Sequence, residues 1–142
     1  MANETMRKFG YPDTLLREFD HWMVLLRPAQ VTLGSLVLAA KSEAVRWSDL
    51  PDAAFAEQAD AVRAIERALK SFCQYDRLNY LMLMMADPNV HFHVIPRYSE
   101  PRSWQGIDFP DHGWPGAPQL KLVVELQPSQ VKALKNRLKT EF

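Results

Sequence analysis

A chain of 142 residues, 47% hydrophobic and 24% charged, has the composition of an ordinary globular protein and the length to bury one core. Lys plus Arg and Asp plus Glu each total 17, so the formal net charge is zero and nothing advertises a nucleic-acid polymer or a membrane as partner. A single cysteine, Cys73, excludes an internal disulfide. The opening MANETMRKFGYPDT is too polar for a secretory leader, and the longest apolar run, VTLGSLVLAA, falls short of the roughly 20 residues that span a bilayer. These features lead us to expect a reducing, cytoplasmic setting.

In chain order, residues 14–28 read as two short strands around a turn near Asp20, closed by Pro28. Residues 33–41 read as a third strand, with Gly34 permitting a tight backbone at its start. Residues 49–75 hold the one long helix. Phe55, Ala59, Val62, Ile65, Leu69 and Phe72 recur at helical steps, and Asp49 or Asp52 is placed to cap it. Two adjacent antiparallel strands, 78–86 and 89–97, flank the Asp-Pro pair. A loop rich in proline and tryptophan follows over 99–118, then a strand over 120–126 and a closing helix over 129–142 capped by Ser129. Short connections and an excess of strands predict an α+β fold, an antiparallel sheet with helices on one face.

The stretch NVHFHVIPR, 89–97, carries the chemistry. Alternation along a strand puts Asn89, His91, His93, Ile95 and Arg97 on one face and Val90, Phe92 and Val94 on the other. The second set suits a helix-covered core. The first is a polar row on a rigid strand, where a small anion can be held. Three uses of the histidine pair stand open. The rings can be structural or merely solvated. They can be two ligands of a metal site, although His21 and His112, the remaining histidines, lie in no ligand-like setting. Or one imidazole can attack phosphorus while its neighbours hold phosphate oxygens. A guanidinium at Arg97 on the same face fits that last use. Met82, Met84 and Met85, with Leu83, read as core filling, and a dimer seam or an apolar ligand wall is the alternative use.

NVHFHVIPR resembles the signature of the histidine triad family, His-φ-His-φ-His-φ-φ with φ hydrophobic, often continued by Pro-Arg. Val90, Phe92, Val94 and Ile95 match the φ positions, and His91 and His93 match the second and third histidines. The resemblance extends over roughly residues 14–101, through HWMVLLRPAQVTLGSLVLAAK, the central helix, and the hairpin that ends in the motif. It implies a single HIT-like domain over 1–142, with five to six antiparallel strands, one long central helix and a C-terminal helix. It also implies a homodimer acting on nucleotide phosphates, phosphate esters or phosphoramidates, as a hydrolase or nucleotidyl transferase, with no cofactor and no metal. By that likeness His91 is the nucleophile that forms a nucleotidyl-histidine and His93 assists it, with Asn89 and Arg97 as substrate-binding residues.

Two departures stand out. Asn89 occupies the first triad position and carries no titratable proton, so Asn89→His is expected to raise any activity. Arg27 stands where some members use Asn or Asp to grip ribose. The alternative reading is a protein of this fold that binds a nucleotide or small phosphate ligand without turnover.

Overall fold

The computed structural model describes residues 2–142. A short helix α1 (Glu4–Lys8) precedes strands β1 (Leu15–Glu18), β2 (Trp22–Leu26), β3 (Ala29–Gln30) and β4 (Leu36–Ala40). Helix α2 (Asp52–Cys73) follows, then β5 (Arg77–Leu81), β6 (His91–Arg97), β7 (Arg102–Trp104), β8 (Ile107–Phe109), β9 (Val124–Glu125) and α3 (Pro128–Lys139). Five strands form one antiparallel sheet in the order β1-β2-β4-β6-β5. The α+β class with a five-stranded antiparallel sheet agrees with the expectation from sequence.

Helix α2 covers one face. Its buried positions are Ala54, Ala61, Ala64, Ile65, Ala68, Leu69 and Cys73, packed against Trp22, Val24, Leu26, Leu36, Leu38, Phe92 and Val94. This corrects the expected stripe. Ile65 and Leu69 are buried in it and Val62 and Phe72 pack half-buried against it, but Phe55 and Ala59 are exposed, and four alanines join the contact. Small side chains let the helix axis come close to the sheet. Gly34 (φ +90°) belongs to the same close approach, since a Cβ there would sit 3.1 Å from Leu69 Cδ2 and 3.5 Å from Cys73 Sγ. Trp22 Nε1 donates to the Ala54 carbonyl, which pins the start of α2 to β2 at 2.7 Å.

The other face is covered too, by an element that sequence periodicity does not reveal. Met6 and Phe9, from α1 and its end, pack on Met23, Leu25, Val37 and Ala39. Asn3 caps α1 by accepting from Met6 N, and its amide donates to the Ala40 and Ser42 carbonyls. A five-residue helix is too short to show a period. All seven residues of β6 are buried, His91 and His93 included. On the polar face Phe9 lies against both histidines and Thr5 against Asn89, while Arg97 is covered by Asp111.

Several boundaries also differ from those expected. The strand expected over 78–86 ends at Leu81, and 82–88 is irregular, with Met84 at φ +52°. The strand expected over 89–97 begins at His91, because the Asn89 backbone bonds to Thr5 rather than to a strand. The 99–118 loop contains the β7–β8 hairpin, turned by Gln105 and Gly106, both at positive φ. Of 120–126 only Val124 and Glu125 pair, with Gln30 and Ala29. Ser129 does not cap α3: Gln127 and Gln130 form a reciprocal capping box, with Pro128 at the first turn. Neither Asp49 nor Asp52 caps α2, whose N-cap is Pro51; Asp49 pairs with Arg46 instead.

Candidate active site

His91 and His93 lie opposite Ala39 and Val37 of β4, and Leu81 of β5 flanks His93. Their ring centroids are 5.1 Å apart and nearly perpendicular at 81°. Phe9 contacts both, at 5.8 Å from His91 and 5.7 Å from His93. The two rings line one pocket of about 280 Å3. Its polar wall is Lys8, Arg27, Asp87 and the histidines, and its apolar wall is Phe9, Leu120 and the irregular run Leu83–Ala86.

His91 Nδ1 lies 2.7 Å from the Asn89 carbonyl oxygen. A carbonyl can only accept, so Nδ1 carries the proton and the neutral ring has its lone pair on Nε2. This bond comes from the backbone of residue 89, so it does not depend on which side chain stands there. His93 Nδ1 is buried without a partner. Burial, joined by the nearby Arg27 charge and His91, pushes the His93 pKa down to about 4, so this ring is neutral near pH 7.

Charge in the pocket therefore comes from its lysine and arginine. Lys8 is matched by Asp87 at 2.7 Å, a pair that ties the end of α1 to the irregular run. Arg27 makes no ion pair within 4.0 Å among the described residues. Its Nη1 donates to the Ala29 carbonyl at 2.6 Å, and its Nε is buried without an acceptor. Burial lowers the pKa of this guanidinium, opposed through space by Glu125 and Asp87, and it stays cationic.

The two residues expected to hold substrate beside the histidines are engaged elsewhere. Asn89 Oδ1 accepts from Thr5 N at 3.3 Å and Thr5 Oγ1 at 3.1 Å, while Nδ2 donates to the Glu43 carbonyl at 3.2 Å. Its amide fastens α1 and does not line the pocket. Arg97, four residues beyond His93, points its guanidinium at Asp111, with Nε–Oδ2 at 2.7 Å and Nη2–Oδ1 at 3.1 Å, and at Asn79 Oδ1, 2.7 Å from Nη1. That pair is almost wholly buried. Burial pushes the Asp111 carboxyl up, but bonds from Arg97, Tyr98 N and Gly113 N outweigh it and hold the pKa below the ordinary value. Sequence alternation correctly placed Arg97 on the histidine face; it could not show that a carboxylate from the 99–118 loop would claim it.

Lys8, Phe9 and Asp87 were not singled out from the sequence. They arrive with α1 and the 82–88 run, and no motif marks them. His112 is exposed and stands apart from the site, and among the described residues no group of three His, Cys, Asp or Glu is gathered as metal ligands. No helix among them is long and apolar enough to cross a membrane.

No family model and no curated protein matches the sequence. Solved structures do match it over almost its whole length. A histidine triad protein from Sinorhizobium meliloti superposes with TM-score 0.76 at 14% identity, over 100% of this chain and 96% of that one. A histidine triad protein from Bradyrhizobium japonicum gives TM-score 0.69 at 19% identity, over 99% and 96%. A diadenosine triphosphate hydrolase from Plasmodium falciparum gives TM-score 0.64 at 10% identity, over 91% and 76%.

Proposed function

Taking the histidine triad fold as the premise, we propose that this chain is a phosphorus-centred hydrolase or nucleotidyl transferase of the histidine triad type, with His91 as its nucleophile. The observation that carries the reading is the 2.7 Å contact from His91 Nδ1 to the Asn89 carbonyl. It directs the Nε2 lone pair to act as nucleophile and offers a fixed dipole to the positive charge that the ring acquires. Nε2 bonds to the α-phosphorus of a nucleotide phosphate, and the leaving group departs with the electrons of its bond to phosphorus. Water then attacks the adduct, the P–N bond breaks, its electron pair returns to Nε2, and a water proton goes to solvent. His93, neutral near pH 7, presents a nitrogen to the phosphoryl oxygens without repelling the nucleophile's developing charge.

This reading takes residues 1–142 as one unit working in a reducing, cytoplasmic setting, as a homodimer with no cofactor and no metal. The substrate is a small nucleotide phosphate, phosphate ester or phosphoramidate.

A binding protein without turnover is the second reading. It is favoured by Phe9 lying against both imidazoles and by an amide rather than an imidazole at position 89. Single-turnover assays on a fluorogenic adenosine phosphoramidate and on diadenosine tetraphosphate, with acid-labile adduct trapping, separate the two. Turnover with a phosphorus adduct on His91, lost in His91→Ala, is expected. Turnover that survives in His91→Ala would sink the nucleophile assignment, and AMP binding with no turnover would select the second reading.

A further inference from the structure

We propose that Arg27 is the anion-holding residue of the histidine pocket, and that the pocket takes a small phosphate-bearing anion whose oxygens lie on the Arg27 guanidinium. The proposal rests on the reading above for the identity of the pocket, but its physical basis is separate. Arginine has five N–H donors and no acceptor, so each donor left over can be satisfied only by an oxygen-bearing ligand or by water. Here Nη1 is spent on the Ala29 carbonyl, while Nε is buried with nothing to donate to. Nε is shut away from solvent, which leaves Nη2, neither hydrogen-bonded among the described residues nor buried, as the donor open to an anion in the pocket that Arg27 lines.

The neighbouring groups narrow the ligand. The pocket wall holds two cations, Lys8 and Arg27, against one carboxylate, Asp87, and Lys8 already engages Asp87. The surplus positive charge is therefore that of Arg27. His93 lines the same pocket, so one oxyanion can face both side chains. The other three candidates for holding an anion are unsuited. Arg97 is locked to Asp111 and Asn79, Asn89 to Thr5 and Glu43, and His91 Nδ1 to a carbonyl. At about 280 Å3 the pocket sits just below the roughly 300–1,000 Å3 of usual small-molecule sites. It fits one phosphate-bearing unit with its apolar part against Phe9, Met84 and Leu120, rather than two. A planar fork suits phosphate oxygens better than the point charge of lysine.

Binding is the test, because it needs no turnover. Calorimetry with inorganic phosphate and with AMP is run on the wild type, Arg27→Lys, Arg27→Met and, as the control, His112→Ala. In parallel, 15N NMR follows the Arg27 Nε–H signal of the wild type during phosphate titration, which requires no substitution at position 27. We expect saturable binding of both ligands, a displaced Nε–H signal, at least a tenfold weaker affinity in Arg27→Met, a smaller loss in Arg27→Lys and unchanged binding in His112→Ala, an exposed residue outside the pocket. Wild-type affinity in a folded Arg27→Met, or an Nε–H signal that does not move while phosphate binds, overturns the proposal. So does the absence of phosphate and AMP binding by the wild type at millimolar concentration. If Arg27→Met does not fold, the wild-type NMR titration alone decides. Loss of turnover in His91→Ala bears only on the nucleophile, so the two readings fail separately.

Discussion

Thr5 and Asn89, 84 residues apart, hold each other in a closed pair: Thr5 N and Oγ1 both donate to Asn89 Oδ1, and Asn89 N donates back to Thr5 Oγ1. Both residues are buried. The pair seats α1 on the sheet, and α1 in turn carries Phe9 and Lys8 to the histidines. From sequence alone Asn89→His is expected to raise activity; the buried pair adds a cost in stability. An imidazole is larger than the amide and must displace the Thr5 or Glu43 groups that the amide serves. Leaving either group unsatisfied costs about 1–3 kcal/mol. Asn89→His and Thr5→Val should both lower the urea midpoint and speed proteolysis ahead of residue 10. Unchanged midpoints in both variants would show that the pair does not seat α1; raised activity in Asn89→His is the separate expectation drawn from sequence.

His93 gives a pH signature. Its folded pKa, near 4, lies below the ordinary 6.5, so between those values the unfolded chain binds the proton and the folded one does not. Stability is therefore full above about pH 6.5 and falls as pH drops toward 4, by on the order of 3 kcal/mol at most. His93→Gln should flatten the profile of unfolding free energy across that window, measured by urea titration at several pH values. Equal slopes for the two proteins would mean that the ring is not buried neutral.

Arg97 and Asp111 make a second prediction about acid, of the opposite charge type. Asp111 has a folded pKa held below its ordinary 3.8, so its contribution is present above that value and is lost as pH falls through the folded pKa. Removing one partner leaves a buried charge alone, which typically costs about 3–5 kcal/mol. Asp111→Ala should lower the unfolding free energy by that amount, measured by urea titration, and release the 99–118 loop to protease. Phosphate affinity should hold, because neither residue lines the pocket. A strong loss of phosphate binding with stability unchanged would return Arg97 to the site.

Gly34→Ala tests the closeness of α2 to the sheet. At φ +90° an L side chain is strained, and the new methyl meets Leu69 Cδ2 at 3.1 Å. A loss of more than about 1 kcal/mol is expected from conformation alone, read as a lower melting temperature. A neutral outcome would show that Leu69 yields freely.

The homodimer expectation is checked by sedimentation equilibrium at micromolar concentration. Leu83 and Met85 are exposed apolar groups at the rim of the pocket, Met85 to 90%, and closed two-fold pairs are the commonest soluble assembly. A mass twice the 16.4 kDa of the chain is expected, falling toward one chain in Met85→Glu. A wild-type mass of one chain would overturn it.

What the sequence determined by itself was local and periodic. Alternation in NVHFHVIPR put His91 and His93 on one face and Val90, Phe92 and Val94 on the core face, and a two-residue period needs no tertiary information to read. The position of α2 and the hairpins around Asp20 follow from the same kind of signal. What only the tertiary structure decided were contacts between segments far apart in the chain. Asp111 claims Arg97 from the loop, Thr5 claims Asn89 from the N-terminus, and Phe9 and Lys8 close over the histidines. Side-chain hydrogen bonds between distant segments leave no period behind, so a residue's face can be read from its neighbours while its partner cannot. Arg27 stands at that boundary. Its type was visible in the sequence, and only the fold brought it, without an ion-pair partner among the described residues, to the pocket of His91 and His93.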